Sequence, residues 1–263
     1  MSQLRFFEKY EIFNKIGEGF VCKVYKGQNK LTKEFVAITE APFYEADNLE
    51  FKEKIEKEIK FYKIFSYCPN SVKFYDSFEE NNTMYIVTEL CDGNLEKYLK
   101  ISKKGFSIYE IKIIMKQLNN ILKEMRKKDI IHKDCKLENI LIKFKENSKE
   151  FEIKLTDYGS AQLVSKTKDL SNNEWDIEPY EGTIEDIEDI LKVDLLRIGI
   201  NIYRMLFKES YKSYDSMNKK IDKFIQDEDL KDLLHRIFVA DSKERIDWDE
   251  YFNHSFFKID NII

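Results

Sequence analysis

Proline and glycine are scarce in this chain, with 3 and 8 among 263 residues. No segment is therefore rich enough in either to serve as a flexible linker or a low-complexity tail, and no internal repeat is visible. No run approaches the roughly 18 apolar residues of a membrane-spanning helix, so membrane insertion is not expected. The opening residues MSQLRFFEKYE lack the apolar stretch of a secretory signal. The four cysteines, at 22, 68, 91 and 135, form no C-x-x-C pair. That spacing points to reduced thiols in a cytoplasmic protein rather than a disulfide framework. A basic excess is missing too. Lys and Arg number 44 against 49 Asp and Glu, for a net charge of −5, so nucleic-acid binding is not expected. The lysines from Lys52 to Lys63 and from Lys123 to Lys128 alternate with glutamates and apolar residues, as on solvated helix faces.

What the chain does have is a core-forming apolar content of 43% and two textures in succession. YEIFNKIGEG, VCKVYKGQ, EFVAIT, SVKFYDSF and TMYIVTEL read as strands. One helix interrupts them at 47–66, where Phe51, Ile55, Ile59 and Tyr62 share a face. After Cys91-Asp92-Gly93 the pattern becomes helical. Ser107 and Glu110 form an S-x-x-E capping box ahead of Ile111, Ile114, Met115, Leu118, Ile121, Leu122 and Met125 at helical spacing. VDLLRIGINIYRMLF and DLKDLLHRIF are further apolar helices. The expected fold class is α+β and bilobal: a β-rich N-lobe over about 1–90, a hinge near 88–92, and an α-rich C-lobe over about 93–263. Residues 1–263 are expected to form a single domain.

One loop carries chemistry instead of turn residues. In IIHKDCKLENILI, the apolar runs Ile130–Ile131 and Ile140–Ile142 read as a strand pair flanking His132, Lys133, Asp134, Lys136, Glu138 and Asn139. Phosphoryl transfer from a nucleotide needs a base for the attacking hydroxyl, oxygen ligands for Mg²⁺, and cations or amides facing the phosphates. Asp134 is the candidate base, Asn139 a candidate metal ligand, and Lys136 a candidate phosphate contact. Downstream, Asp157 in IKLTDYGSA stands at a strand end and suits a second metal ligand.

HKDCKLEN resembles the H-R-D-L-K-x-x-N catalytic loop of eukaryotic protein kinases, and DYG resembles their D-F-G. Gly17-Glu18-Gly19, VAIT, Glu58, the loop and DYG follow in the family's order, and the resemblance covers nearly the whole chain. Lys136 is similar to the lysine of the serine/threonine type. The resemblance implies ATP and Mg²⁺ as cofactors, and a protein substrate or protein partner. It implies that Gly17 and Gly19 approach the phosphates and that Val24, Ala37 and Leu141 sandwich the adenine. Thr88 would be the gatekeeper, and Glu89 to Cys91 the hinge. Tyr62, Phe74, His132 and Tyr158 would stack through both lobes. Glu138 would read a basic residue of a peptide substrate.

The departures carry as much information. Where the family has V-A-I-K, this chain has Val36-Ala37-Ile38-Thr39, at the family's usual distances from Gly17 and from Glu58. Thr39 is short and uncharged, so Glu58 loses its lysine partner and the phosphates lose a cation. Lys23 cannot substitute readily, because its neighbour Val24 should face the adenine and adjacent strand residues point oppositely. Cys22 replaces the third glycine of the phosphate loop. Around Pro179 the Gly, Thr and Tyr of the family's substrate platform are missing. Tyr180 stands for the closing Glu, with Glu181 adjacent as a candidate partner for Arg245. Lys133 replaces an arginine and lacks its bidentate fork. Asp194 and Gly199 match the family. The expectation is a kinase-like domain that binds Mg²⁺–ATP but is catalytically impaired, a pseudokinase scaffold or allosteric partner. The alternatives are an active serine/threonine kinase, slow or with an unusual cation, and a structural subunit with an unused cleft.

Overall fold

The computed structural model describes residues 5–19, 21–43, 49–146, 148, 150–164, 177, 180 and 184–258. A single-turn helix α1 (Phe6–Lys9) leads into β1 (Tyr10–Glu18), β2 (Lys23–Asn29) and β3 (Phe35–Pro42). Helix α2 (Leu49–Ile64) follows, then β4 (Phe74–Glu80) and β5 (Thr83–Glu89). The five strands form one sheet in the order β1-β2-β3-β5-β4, antiparallel throughout. The β4–β5 hairpin closes through Asn81 and Asn82, both left-handed with φ of 51° and 54°, a conformation asparagine tolerates better than most residues.

Strand alternation sorts the side chains of this sheet onto two faces. Val36 and Ile38 of β3 meet Tyr85, Val87 and Tyr10 in a small outer core under Phe6 of α1, whose ring stacks 4.0 Å from that of Tyr85. Ala41 belongs to the main core with Ile55 and Ile59 of α2. Thr39, of the same parity as Ala41, thus faces α2 and the cleft. Lys23 pairs with Glu40 in the β2–β3 register, so it lies on the outer face with Ile38. The expectation that Lys23 points away from the cleft agrees with this register.

The second lobe begins with β6 (Gly93–Asn94), α3 (Leu95–Ile101) and α4 (Ile108–Lys127). Ser107 Oγ accepts from Glu110 N at 3.2 Å, and the Glu110 carboxylate accepts from Ser107 N at 2.7 Å, which is the anticipated capping box. All seven apolar residues anticipated for the buried stripe of α4 are buried. Then come β7 (Ile130–Ile131), β8 (Ile140–Phe144), β9 (Phe151–Leu155) and β10 (Gln162–Leu163). Helices α5 (Ile184–Leu191), α6 (Val193–Phe207), α7 (Tyr214–Phe224), α8 (Glu228–Ile237) and α9 (Trp248–Asn253) complete the lobe. The architecture is a β-sheet N-terminal lobe and a helical C-terminal lobe, bilobal α+β. Among the described residues no helix is long and apolar enough to cross a membrane.

The two apolar runs around the polar loop are strands, but they do not pair with each other. β7 pairs with β10, while β8 lies between β6 and β9. The loop between them is anchored to α6 instead of closing a hairpin, and that anchoring sends its two ends to different sheets. The α6 residues responsible also set the geometry of the site.

Candidate active site

Asp194, in the first turn of α6 and only 2% exposed, accepts two backbone hydrogen bonds from the loop. His132 N donates to Oδ2 at 2.7 Å and Lys133 N to Oδ1 at 2.9 Å. This tie holds Lys133 at a left-handed φ of 64°, unusual for a lysine and sustained only by such over-determination. Two turns further along α6, near Gly199, Asn201 Nδ2 donates to Cys135 O at 2.9 Å. Gly199 is required for close packing, since a Cβ there would lie 2.5 Å from Ile237 Cγ2.

Held this way, the loop brings its chemical groups together. Asn139, 6% exposed, donates through Nδ2 to Asp134 O and to Asp134 Oδ2, both at 3.0 Å. Its carbonyl oxygen is left over for a cation. Lys136 Nζ contacts Asp134 Oδ2 at 2.5 Å. Asp157 sits across the cleft in a left-handed conformation, φ 63° and ψ 69°, with its carboxylate exposed. Its backbone N donates to Tyr62 Oη at 3.1 Å, and Tyr62 Oη also lies 2.9 Å from Thr156 Oγ1. The aromatic stack runs Phe74–Tyr62–Tyr158–His132, with ring centroids 6.3, 5.1 and 5.3 Å apart. It links the sheet lobe through α2 to the loop.

The nucleotide end of the cleft is lined as the resemblance implies. In register, Val24 faces Thr39 and Ala37 faces Thr88. Val24, Ala37 and Leu141 are half-buried and leave apolar surface open, whereas Thr88 and Glu89 are buried. The Glu89 carboxylate is occupied by Lys73 N and Lys143 Nζ, each at 2.8 Å. Only its backbone is therefore available to a ligand. Cys91 follows, half-buried. At the phosphate end, Gly19 N donates to Cys22 O at 2.8 Å, and Gly17 runs beside Val24.

These residues fit Mg²⁺–ATP. Mg²⁺ takes hard oxygen ligands, one or two from protein and the rest from phosphate and water. Asn139 and Asp157 offer such a pair, and the half-buried apolar trio offers a slot for a planar base.

The cation side of the site is different. Glu58 of α2 has no lysine on β3 to meet. Burial, and then the charge of Asp157, push its carboxyl up to about 8, against weaker opposition from the Tyr62 hydroxyl and from Lys54. A carboxyl of that kind is mostly protonated at pH 7. Lys57 and Lys133 lie near each other, and burial together with that proximity lowers the Lys57 pKa. Lys133 Nζ donates to Gln162 Oε1 at 3.0 Å.

Cys22 packs against the main core. Burial, then Glu58 and Asp157, raise its thiol to about 11, and burial raises Cys91 to about 12. Cys135 is raised well above its usual value, also by burial. Thiols held protonated are poor nucleophiles. At pH 7.5, iodoacetamide is expected to label Cys22 in the folded chain about a hundredfold more slowly than a free thiol. Residue-resolved mass spectrometry would read this, and labelling at the free-thiol rate would show that the thiol is not held neutral.

Two residues named for the substrate end have the following surroundings. Glu138 faces a basic group of its own chain, with Arg204 Nη1 at 3.6 Å from its Oε2, while Arg204 Nη2 also contacts Glu96 at 2.6 Å. Arg245, 7% exposed, donates through Nη2 to Val239 O at 3.1 Å. The substrate platform around Pro179, and Glu181, lie outside the described residues. Sequence reasoning missed the Tyr62 hydroxyl and Lys54. Both stand four residues from Glu58, on the same helix face, and that spacing was the available signal.

Residues 10–257 match the family described as protein kinase domain. The chain is 32% identical over 266 residues to calcium-dependent protein kinase 5 of Plasmodium falciparum, covering 95% of this chain and 45% of that protein. It is 31% identical over 271 residues to the serine/threonine-protein kinase atg1 of Dictyostelium discoideum, covering 96% and 40%. With the Aurora kinase of Schizosaccharomyces pombe it shares 27% identity over 258 residues, covering 93% and 70%. The chain thus spans less than half the length of the first two relatives. A match across nearly the whole chain, on residues that the fold also gathers around one cleft, makes it a member of the protein kinase domain family.

Proposed function

We propose that this domain binds Mg²⁺–ATP between its lobes and transfers the γ-phosphate to protein hydroxyls only slowly. Its main role is then that of a nucleotide-dependent scaffold or allosteric partner of another protein. The single observation behind this reading is the contrast across the cleft. Asp134, Asn139 and Asp157 are held in place, while position 39 presents a threonine to Glu58. Bound Mg²⁺ would neutralise phosphate charge and order the nucleotide. Asn139 and Asp157 would hold it, Asp134 would orient and deprotonate the attacking hydroxyl, and Lys136 would face the transferred group. Val24, Ala37 and Leu141 would enclose the base, with the backbone of Glu89 and Cys91 at its edge and Thr88 behind it. Gly17 and Gly19 would bring amides toward the phosphates, less closely than in a chain with glycine in place of Cys22. We also place the whole of residues 1–263 in this one domain, in the cytoplasm, where its four free cysteines stay reduced.

A second reading, an active serine/threonine kinase, draws on the continuous aromatic stack and on the preserved base. A chain released from catalysis has no need to keep either. A structural subunit with an occluded cleft is the least compatible, because Asp157 is exposed and the apolar slot is open.

Thermal unfolding with and without Mg²⁺–ATP tests the binding step. At a hundredfold excess over Kd the folded state is expected to gain about 2.7 kcal/mol. Asp157→Asn should lose most of the Mg²⁺-dependent part. An unchanged midpoint at millimolar Mg²⁺–ATP would refute nucleotide binding.

A further inference from the structure

Position 39 lacks the lysine, yet a lysine from elsewhere reaches the same corner of the cleft. The convergence is visible at Gly159. A Cβ placed there would lie 3.4 Å from Asp157 Oδ1, 3.5 Å from Glu58 Oε2 and 3.7 Å from Lys54 Cε. The end of the Lys54 side chain therefore lies at one small volume with Glu58 and with Asp157 of the DYG run.

Lys54 stands one turn before Glu58 on α2, and helix side chains slant toward the N-terminus along one face. This slant leans the Glu58 carboxylate back toward position 54, and the far end of the otherwise exposed Lys54 side chain lies at the rim of the Glu58 site. Its charge is felt inside, where it favours the ionised forms of Glu58 and of the Cys22 thiol. Lys57, on the same helix, feels its charge as well. Lys23, directly after the phosphate loop, is on the opposite face of the sheet.

We propose that Lys54 supplies the cation that position 39 does not, entering the cleft from α2 at Gly159 to face the phosphates of bound Mg²⁺–ATP beside Asp157. This rests on the nucleotide-binding reading above and extends it. Phosphate charge would draw the ammonium inward and replace the water that solvates it in the open cleft. The reach from helix α2, instead of from β3, also explains how the chain tolerates Thr39 while keeping Asp134, Asn139 and Asp157.

The test compares wild type, Lys54→Met, Lys23→Met, Thr39→Lys and the Lys54→Met/Thr39→Lys pair in the full chain. Mg²⁺–ATP affinity is measured by calorimetry, and transfer of labelled γ-phosphate is measured in parallel. Lys54→Met is expected to weaken Mg²⁺–ATP binding and to slow transfer, each by at least about tenfold, one desolvated charge contact. Lys23→Met should change neither. Thr39→Lys should restore both in the Lys54→Met background. If wild type and Lys54→Met bind Mg²⁺–ATP and transfer phosphate equally, the Lys54 assignment is wrong and the nucleotide-binding reading stands. If no variant, Thr39→Lys included, binds Mg²⁺–ATP, both are wrong. Circular dichroism and melting without nucleotide separate these outcomes from misfolding, because residue 54 is exposed and its replacement should leave the apo midpoint in place.

Discussion

Replacing Thr39 by lysine is expected to raise the rate of phosphate transfer by about 10²–10³, the usual worth of one preorganised charge donor at a reacting centre. The side chain at 39 has the right parity. Thr39 sits between Ala37 and Ala41 on the cleft face of β3, opposite Val24 in register. A lysine there would extend past the adenine slot toward Glu58. It would gain a carboxylate partner, and Glu58 would gain a cation in a desolvated place where such pairing counts most. The same pairing should bring the Glu58 pKa back down from its raised value. Single-turnover labelling with saturating Mg²⁺–ATP reads the rate directly. An unchanged rate would mean that the missing lysine is not what limits this domain.

The second large effect is on stability and concerns Glu58. Its carboxyl titrates near 8 in the folded chain against 4.5 for the free group. The folded state therefore holds a proton that the unfolded state releases across that interval. Folding gains its full benefit from this below pH 4.5, and the benefit is lost as pH rises through about 8. Glu58→Gln removes the titration and keeps the shape. Between pH 6 and pH 9 the variant should gain about 2 kcal/mol on wild type, from roughly two pH units of linkage less some screening at the cleft rim. Urea denaturation at the two pH values measures the difference. Wild type and Glu58→Gln losing stability in parallel would show that Glu58 is already ionised at neutral pH, with a cation near enough to hold it so.

Much of this was legible in the sequence, and the reasons differ by feature. The capping box before α4 and its apolar stripe are local, so residues 107–125 carry all the information needed. The sheet strands read through alternation, with Val36 and Ile38 outward and Ala37 and Thr39 inward. The catalytic loop was legible because six chemistry-bearing residues among the eight between the apolar runs have no structural rationale of their own. The pairing of those runs was not legible, because it depends on Asp194 and Asn201 more than 60 residues away. The charge on Glu58 was hidden for a similar reason. Its burial and the approach of Asp157 are tertiary facts, and Lys54 in the sequence is one more lysine among glutamates on an exposed helix. Tyr62 was identified as a stacking residue, but its hydroxyl contact with the Asp157 backbone needed the fold.

The account as a whole holds that the base and metal ligands are in place and that the phosphate end of the cleft lacks the β3 lysine, for which Lys54 substitutes only in part. Single-turnover transfer of labelled phosphate by wild type and by Asp134→Asn, at saturating Mg²⁺–ATP, tests it most directly. The expected result is a slow reaction, about 10²–10³ below the 1–100 s⁻¹ of ordinary kinases, that vanishes in Asp134→Asn. A wild-type rate within that ordinary range, or labelling that survives the loss of Asp134, would contradict it.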